Sequence, residues 1–163
     1  MTEDGLFVCE SSDMADNIWS DEWDSLGDND WEQGLKSLRL PRSGTVLGAS
    51  VYELPPGGRS AYHFHHGADE LLIALTAGVT IRTPEGEREL VAGEAVFFAP
   101  GPGGAHGQVN DTDEPVRYLV AGTRFSPEVV EYPDLGQLTA QSRLPSQQGK
   151  PLFVIHTLEE GEQ

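Results

Sequence analysis

Between Thr45 and Phe125, glycine and proline interrupt the chain before any helix-length periodicity can build up. The interruptions are Pro55-Pro56-Gly57-Gly58, Gly67, Pro84-Glu85-Gly86-Glu87, Ala92-Gly93-Glu94 and Pro100-Gly101-Pro102-Gly103-Gly104. Glycine adopts turn conformations that other residues resist, and proline lacks the backbone donor that helices and ladders need, so both punctuate regular structure. The pieces between them are short and rich in β-branched and aromatic residues, which suits strands. Strands are expected over 46–54, 59–66, 70–77, 79–83, 88–91, 95–98, 106–109 and 115–123. The 84–87 turn reads as a hairpin, and 70–77 is apolar enough for burial on both faces. Many short strands without a long helix define an all-β sandwich or barrel.

The flanks read differently. Residues 1–44 form an acidic, tryptophan-containing arm, 45–125 the barrel, and 126–163 an extension that packs on the barrel or on a dimer partner. In the arm, Ser20 is placed to cap a short helical turn reaching Leu26. Trp19, Trp23 and Trp31 are bulky aromatics that need apolar surface to cover, so the arm is expected to dock, on its own barrel or across a dimer interface. In the tail, 128–134 reads as a short helix or strand stopped by Pro133, 142–150 as loop, and 152–155 as a last strand at an edge or dimer contact.

Charge and composition exclude several classes of partner. The formal net charge is −17 over 163 residues, and residues 1–34 hold eleven Asp and Glu with no Lys or Arg. Nucleic acid and anionic membranes are poor partners for such a surface. Cys9 is the single cysteine, so an intramolecular disulfide is impossible, which fits a reducing compartment. No basic stretch followed by an apolar core opens the chain, so no signal peptide is expected. The longest strongly apolar run, 71–75, is far too short to span a bilayer. A soluble, cytoplasmic protein is expected.

Chemistry concentrates in two segments. His63 and His65 are two apart, so on a strand they share a face, with Phe64 on the other. His66 falls on the wrong face. Gly67 and Ala68 let the chain reverse, and Glu70 then enters on the neighbouring strand. His106 follows the Gly-Pro loop and returns from a distant part of the sequence. Three imidazoles and a carboxylate suit a divalent transition metal with open coordination positions. An isolated HxH is weak evidence, but HxH, then Glu, then a lone His after a Gly-Pro loop is far more specific. Gln108 shares the parity of His106 and should face the cavity, where it could touch substrate or bound water. Tyr62 and Arg59 flank the mouth as possible substrate contacts, with surface or packing roles as the plainer reading. His156 stands apart near the C-terminus.

With these residues in view, residues 45–124 resemble the small single-domain members of the cupin superfamily. The first cupin motif is matched by Gly57, His63-Phe64-His65 and Glu70, with Ala77 at its closing glycine and Gly78 next. The second is matched by Gly93, Gly101, His106 and Asn110, with Ala99 at the proline position and a longer gap before His106. The resemblance implies a double-stranded β-helix, a jelly-roll barrel of two antiparallel sheets. It also implies a 3-His-1-Glu metal site of His63, His65, Glu70 and His106 inside the open mouth. Iron, nickel, manganese, zinc or copper would serve, and a homodimer is expected. The implied function is a metalloenzyme on a small polar molecule, dioxygenase-like or sugar-isomerase-like. The alternatives are a non-catalytic module that binds or senses a small ligand, and a structural barrel without metal.

Overall fold

The computed structural model describes residues 17–29, 31–40, 46–145 and 149–158. Cys9 lies outside them. The described chain is almost entirely β. Its strands are β1 (Ser25–Gly27), β2 (Leu35–Leu40), β3 (Leu47–Leu54), β4 (Phe64–His65), β5 (Glu70–Ala74), β6 (Val79–Thr83), β7 (Gly86–Leu90), β8 (Ala95–Phe98), β9 (Gly107–Asn110), β10 (Val116–Thr123), β11 (Glu128–Tyr132), β12 (Gln137–Pro145) and β13 (Pro151–Thr157). Two 3-10 turns, Pro102–Gly104 and Pro133–Leu135, complete the regular structure. Among the described residues no helix is long and apolar enough to cross a membrane.

One sheet has the order β1-β2-β3-β10-β5-β8. The second is built from two pieces, β13-β12-β11-β4 and β7-β6-β9. Paired backbone hydrogen bonds between His63 and His106, of 2.9 and 2.8 Å, join these pieces beside β4. The strand pairings among the described residues are antiparallel, and the architecture is the double-stranded β-helix.

The strands alternate as a half-buried sheet requires. On β5, Leu72 and Ala74 are fully buried while Leu71 faces solvent. The burial of 70–77 on both faces is therefore corrected: β5 is covered on one face only. Glu70 has the parity of Leu72, so it turns inward. Leu54, Leu72, Val116 and Tyr118 from the first sheet meet Val79, Ile81 and Leu90 from the second in one apolar core. Burial of this set supplies the main driving force, roughly 1.5–3 kcal/mol for each large side chain. Strands β3 and β10 carry the chain from core to mouth: they pair Leu54 with Val116 at one end and Gly48 with Gly122 at the other.

Several expectations change at their edges. The strand expected over 59–66 is reduced to Phe64–His65. Before it, Arg59 bridges to Gln33 and Val109, and His63 bridges to His106. The segment leaves its ladder with β9 just where it begins pairing with β11, so no continuous strand forms. The helical turn over 20–26 is absent. The Oγ of Ser20 does accept from the Glu22 amide, at 3.1 Å, but this local turn competes with a helix. Ser25–Gly27 instead pairs with β2. The tail segment 128–134 resolves as β11 and a 3-10 turn. Residues expected as loop after Ser142 continue as strand to Pro145, and 146–148 lie outside the described residues.

The departures at turn positions have a simple outcome. Gly78, one residue after Ala77, carries the positive φ of 88°. A side chain there would also meet Thr112 Cγ2 at 2.7 Å. The turn thus has its glycine, displaced by one position.

Candidate metal centre

Three strand-borne elements bring the site together. The β4 segment contributes His63 and His65, β5 contributes Glu70, and the start of β9 contributes His106. Phe64, between the histidines, is buried on the other side, with its ring 5.1 Å from that of exposed His66. His63, Glu70 and His106 each offer a ligand atom within 4.8 Å of the others. His106 Nε2 lies 3.1 Å from Glu70 Oε2. His65 stands just outside this tight group. Its Nε2 lies 3.3 Å from the same Oε2 but lacks hydrogen-bond geometry to it, so the contact is one of charge. A glycine faces the carboxylate: Gly122 pairs with Glu70, and a side chain there would press on Asp69 O at 2.9 Å and Glu70 Cγ at 3.0 Å.

The far nitrogen of every imidazole is tied down. His63 Nδ1–H donates to the Ala61 carbonyl at 3.0 Å. His106 Nδ1–H donates to the Gly104 carbonyl at 2.9 Å. His65 Nδ1–H donates to Glu128 Oε1 at 2.9 Å. These acceptors fix the tautomer, so that each Nε2 is the nitrogen left for a ligand bond. Phe98 stacks on His106, with centroids 3.8 Å apart and planes within 7°, and holds the ring in plane. This is the donor set and outer support that a divalent ion requires, and the residues fit one.

Protonation follows the same geometry. Burial, followed by the neighbouring His106 and His65, pushes the His63 imidazole down from 6.5 to about 4. Burial also opposes charge on His65, but pairing with Glu128 and Glu70 outweighs it and raises the ring to about 9. Burial alone would raise Glu70. Its contacts with His106 and His65 prevail and hold the carboxylate well below its ordinary range. Without metal, the centre is thus an ion-paired His65–Glu70 contact beside a neutral His63. His65 would give up its proton on binding a metal ion.

Two cavities meet at this cluster. The outer one, about 230 Å³, is bordered by Ser50, Arg124, Glu128 and Gln141. The inner one, about 180 Å³, is bordered by Glu32, Ser60, Gln108, His106 and Tyr118. Tyr52, His63, His65, Glu70, Val120 and Tyr132 line both. Gln108 is 3% exposed. Its Oε1 accepts from Ser60 Oγ at 2.7 Å and Tyr118 OH at 3.4 Å. Its Nε2 is buried with no hydrogen-bond partner among the described residues. An unmet buried donor on a cavity wall is costly unless something else accepts from it.

Tyr62 and Arg59 line neither cavity. Tyr62 lies under the Arg82 guanidinium, 4.1 Å from its ring centroid, and Arg59 is exposed. Glu32, Tyr52, Glu128 and Tyr132 are the site residues that sequence reasoning missed. For Glu128 a signal existed, since Glu128, Val130 and Tyr132 share one strand parity. Without a neighbour to orient against, that parity named no face.

Fold and site together define a small β-barrel with a metal-capable polar mouth. Residues 50–122 match the family model described as a cupin domain, and the chain is a small cupin-type protein. It is similar to the solved structure of a sugar phosphate isomerase of the cupin superfamily from Silicibacter pomeroyi. The two are 29% identical, with 78% of each chain covered and a TM-score of 0.67. It shares its fold with a proposed sugar phosphate isomerase from Acidithiobacillus ferrooxidans, at 24% identity, 73% and 76% coverage and a TM-score of 0.59. No curated protein matches the sequence.

Proposed function

We propose that this chain is a metal-dependent isomerase acting on a small phosphorylated sugar. The observation that carries the reading is the trio of imidazoles anchored through Nδ1 around Glu70, at the junction of two polar cavities. His63, His65, Glu70 and His106 would hold the ion. When bound, it supplies Lewis acidity toward a carbonyl or hydroxyl oxygen. The isomerase of Silicibacter pomeroyi, similar over most of both chains, supports the choice of isomerisation over oxygen chemistry.

The chain's own residues supply the rest. Arg124 lines the outer cavity and brings a cation to the side where a phosphate would enter. The inner cavity offers Gln108 Nε2 as a donor to a sugar oxygen. A homodimer belongs to the same reading. Leu152, Phe153, Val154 and Ile155 are 45–59% exposed on β13, an edge strand whose apolar side chains and open backbone edge a second copy would cover. Light scattering at micromolar concentration should give twice the chain mass, and a monomer contradicts this part.

The deciding experiment loads the protein separately with manganese, zinc and iron and follows aldose and ketose phosphates by NMR. Interconversion that His106→Ala abolishes is the expected result. Metal-loaded protein that binds these sugars without converting them overturns the isomerase reading in favour of a binding module.

A further inference from the structure

An isomerase that works through an enediol must move a proton between two carbons, and the candidate metal ligands are committed elsewhere. The inner cavity has few other groups able to take a proton. Tyr52, Tyr118 and Tyr132 are held protonated, because burial raises each phenol above its ordinary value. Ser60 and Gln108 are not bases near neutral pH. Among the described residues, Glu32 is the one carboxylate on that wall apart from Glu70.

Glu32 is fixed from three directions. Its backbone amide donates to Asn29 Oδ1 at 3.0 Å. The adjacent Gln33 exchanges two backbone hydrogen bonds with Arg59, which tie the segment to the barrel. Its carboxylate lies against Gly27, where an added Cβ would stand 2.2 Å from Oε2. Glu32 lines the inner cavity together with Tyr52, Tyr118 and Tyr132.

We propose that Glu32, carried by the N-terminal segment, is the catalytic acid–base residue that shuttles the proton in the inner cavity. The proposal rests on the isomerase reading. In an aldose-to-ketose conversion, the C2–H bond breaks and its proton passes to Glu32. The electron pair forms the C1=C2 bond of an enediol as the carbonyl oxygen O1 takes a proton from solvent water. Glu32 then returns its proton to C1, and the O2 hydroxyl gives its own back to solvent water as the new carbonyl forms. Atoms and electrons balance without an oxidant. Burial already raises Glu32 above the ordinary carboxylate value, with Asn29 offsetting part of the rise, which suits a group that both takes and gives a proton.

The test compares wild type, Glu32→Gln and Gly27→Ala, all loaded with manganese, on a panel of aldose phosphates in D2O. Turnover, deuterium uptake at C1 of the ketose product, metal content and thermal midpoint are read together. Glu32→Gln should lose roughly 10²-fold or more in kcat, and the uptake with it, at unchanged metal content and little change in KM. Gly27→Ala should keep the fold and the metal but lose part of kcat, because the carboxylate must move. Glu32→Gln turnover within a few-fold of an active wild type overturns the role of Glu32 alone. A wild type that converts none of the panel overturns the isomerase reading, and this inference falls with it.

Discussion

His65 is shared between two carboxylates: its Nδ1–H donates to Glu128 Oε1 at 2.9 Å while its Nε2 stands 3.3 Å from Glu70 Oε2. Glu128 comes from β11, beyond the strands that carry the three histidines and Glu70. Gln141 Nε2 donates to Glu128 Oε2 at 3.0 Å and orients it in turn. An outer carboxylate of this kind raises the basicity of the imidazole and fixes its direction. Glu128→Gln should therefore weaken metal binding by roughly 10–100-fold, read by competition with a chelator. Unchanged affinity would mean that His65 is not a ligand.

The metal-free protein should be most stable near pH 6.5. His63 is depressed to about 4, so below 6.5 the unfolded chain takes up a proton that the folded chain refuses. Stability falls by about 3 kcal/mol between pH 6.5 and 4 from this group. The depressed Glu70 acts in the same direction, its contribution being present above 4.5 and lost as pH falls. His65, raised to about 9, contributes fully below 6.5 and loses that contribution as pH rises through 9. Urea midpoints of chelator-treated protein should peak between pH 6 and 7. A midpoint that climbs steadily from pH 5 to 9 contradicts this assignment.

Asn110 is a structural member of its motif. It is fully buried. Its Nδ2 donates to the carbonyls of Leu54 at 3.0 Å and Glu114 at 2.8 Å, and its Oδ1 accepts from the amide and hydroxyl of Thr112. Asn110→Ala leaves several of these groups unpaired and should cost about 3 kcal/mol in chemical denaturation. Metal stoichiometry should survive in the folded fraction. Loss of metal at native stability would place Asn110 in the site instead.

Much of this was legible from local signals. Gly and Pro spacing marked the hairpin of β6 and β7 and the edges of β8, because turn chemistry is local. The parity of His63 and His65 predicted a shared cavity, and Phe64 does point the other way. Glu32 was not legible, since it has no motif, and Glu128 left only a strand parity that named no face; each reaches the site through long-range packing. Residues 20–26 misled for a related reason. Ser20 is a good cap locally, but the ladder from Ser25 to β2 offers the backbone its partners elsewhere.

Arg117 shows how the N-terminal segment is held. It is 7% exposed. Nη2 donates to Glu53 at 2.6 Å and Asp21 at 3.1 Å, Nη1 donates to the carbonyls of Ile18 and Ser20 at 3.2 Å each, and the guanidinium lies 4.8 Å from the Trp23 ring centroid. Arg117→Ala should cost about 3 kcal/mol and shift tryptophan fluorescence to the red as Trp19 and Trp23 come free. Arg82→Ala, which removes an exposed pair with Asp134, should leave the midpoint nearly unchanged. Equal effects from the two variants would refute the clamp.

Metal content tests the central claim most directly. Wild type reloaded with manganese, zinc or iron, then desalted, should carry close to one ion per chain by elemental analysis, and the His63→Ala/His106→Ala double variant should carry none. A wild type that retains no metal after every reloading, or a double variant that retains as much as wild type, would contradict the account.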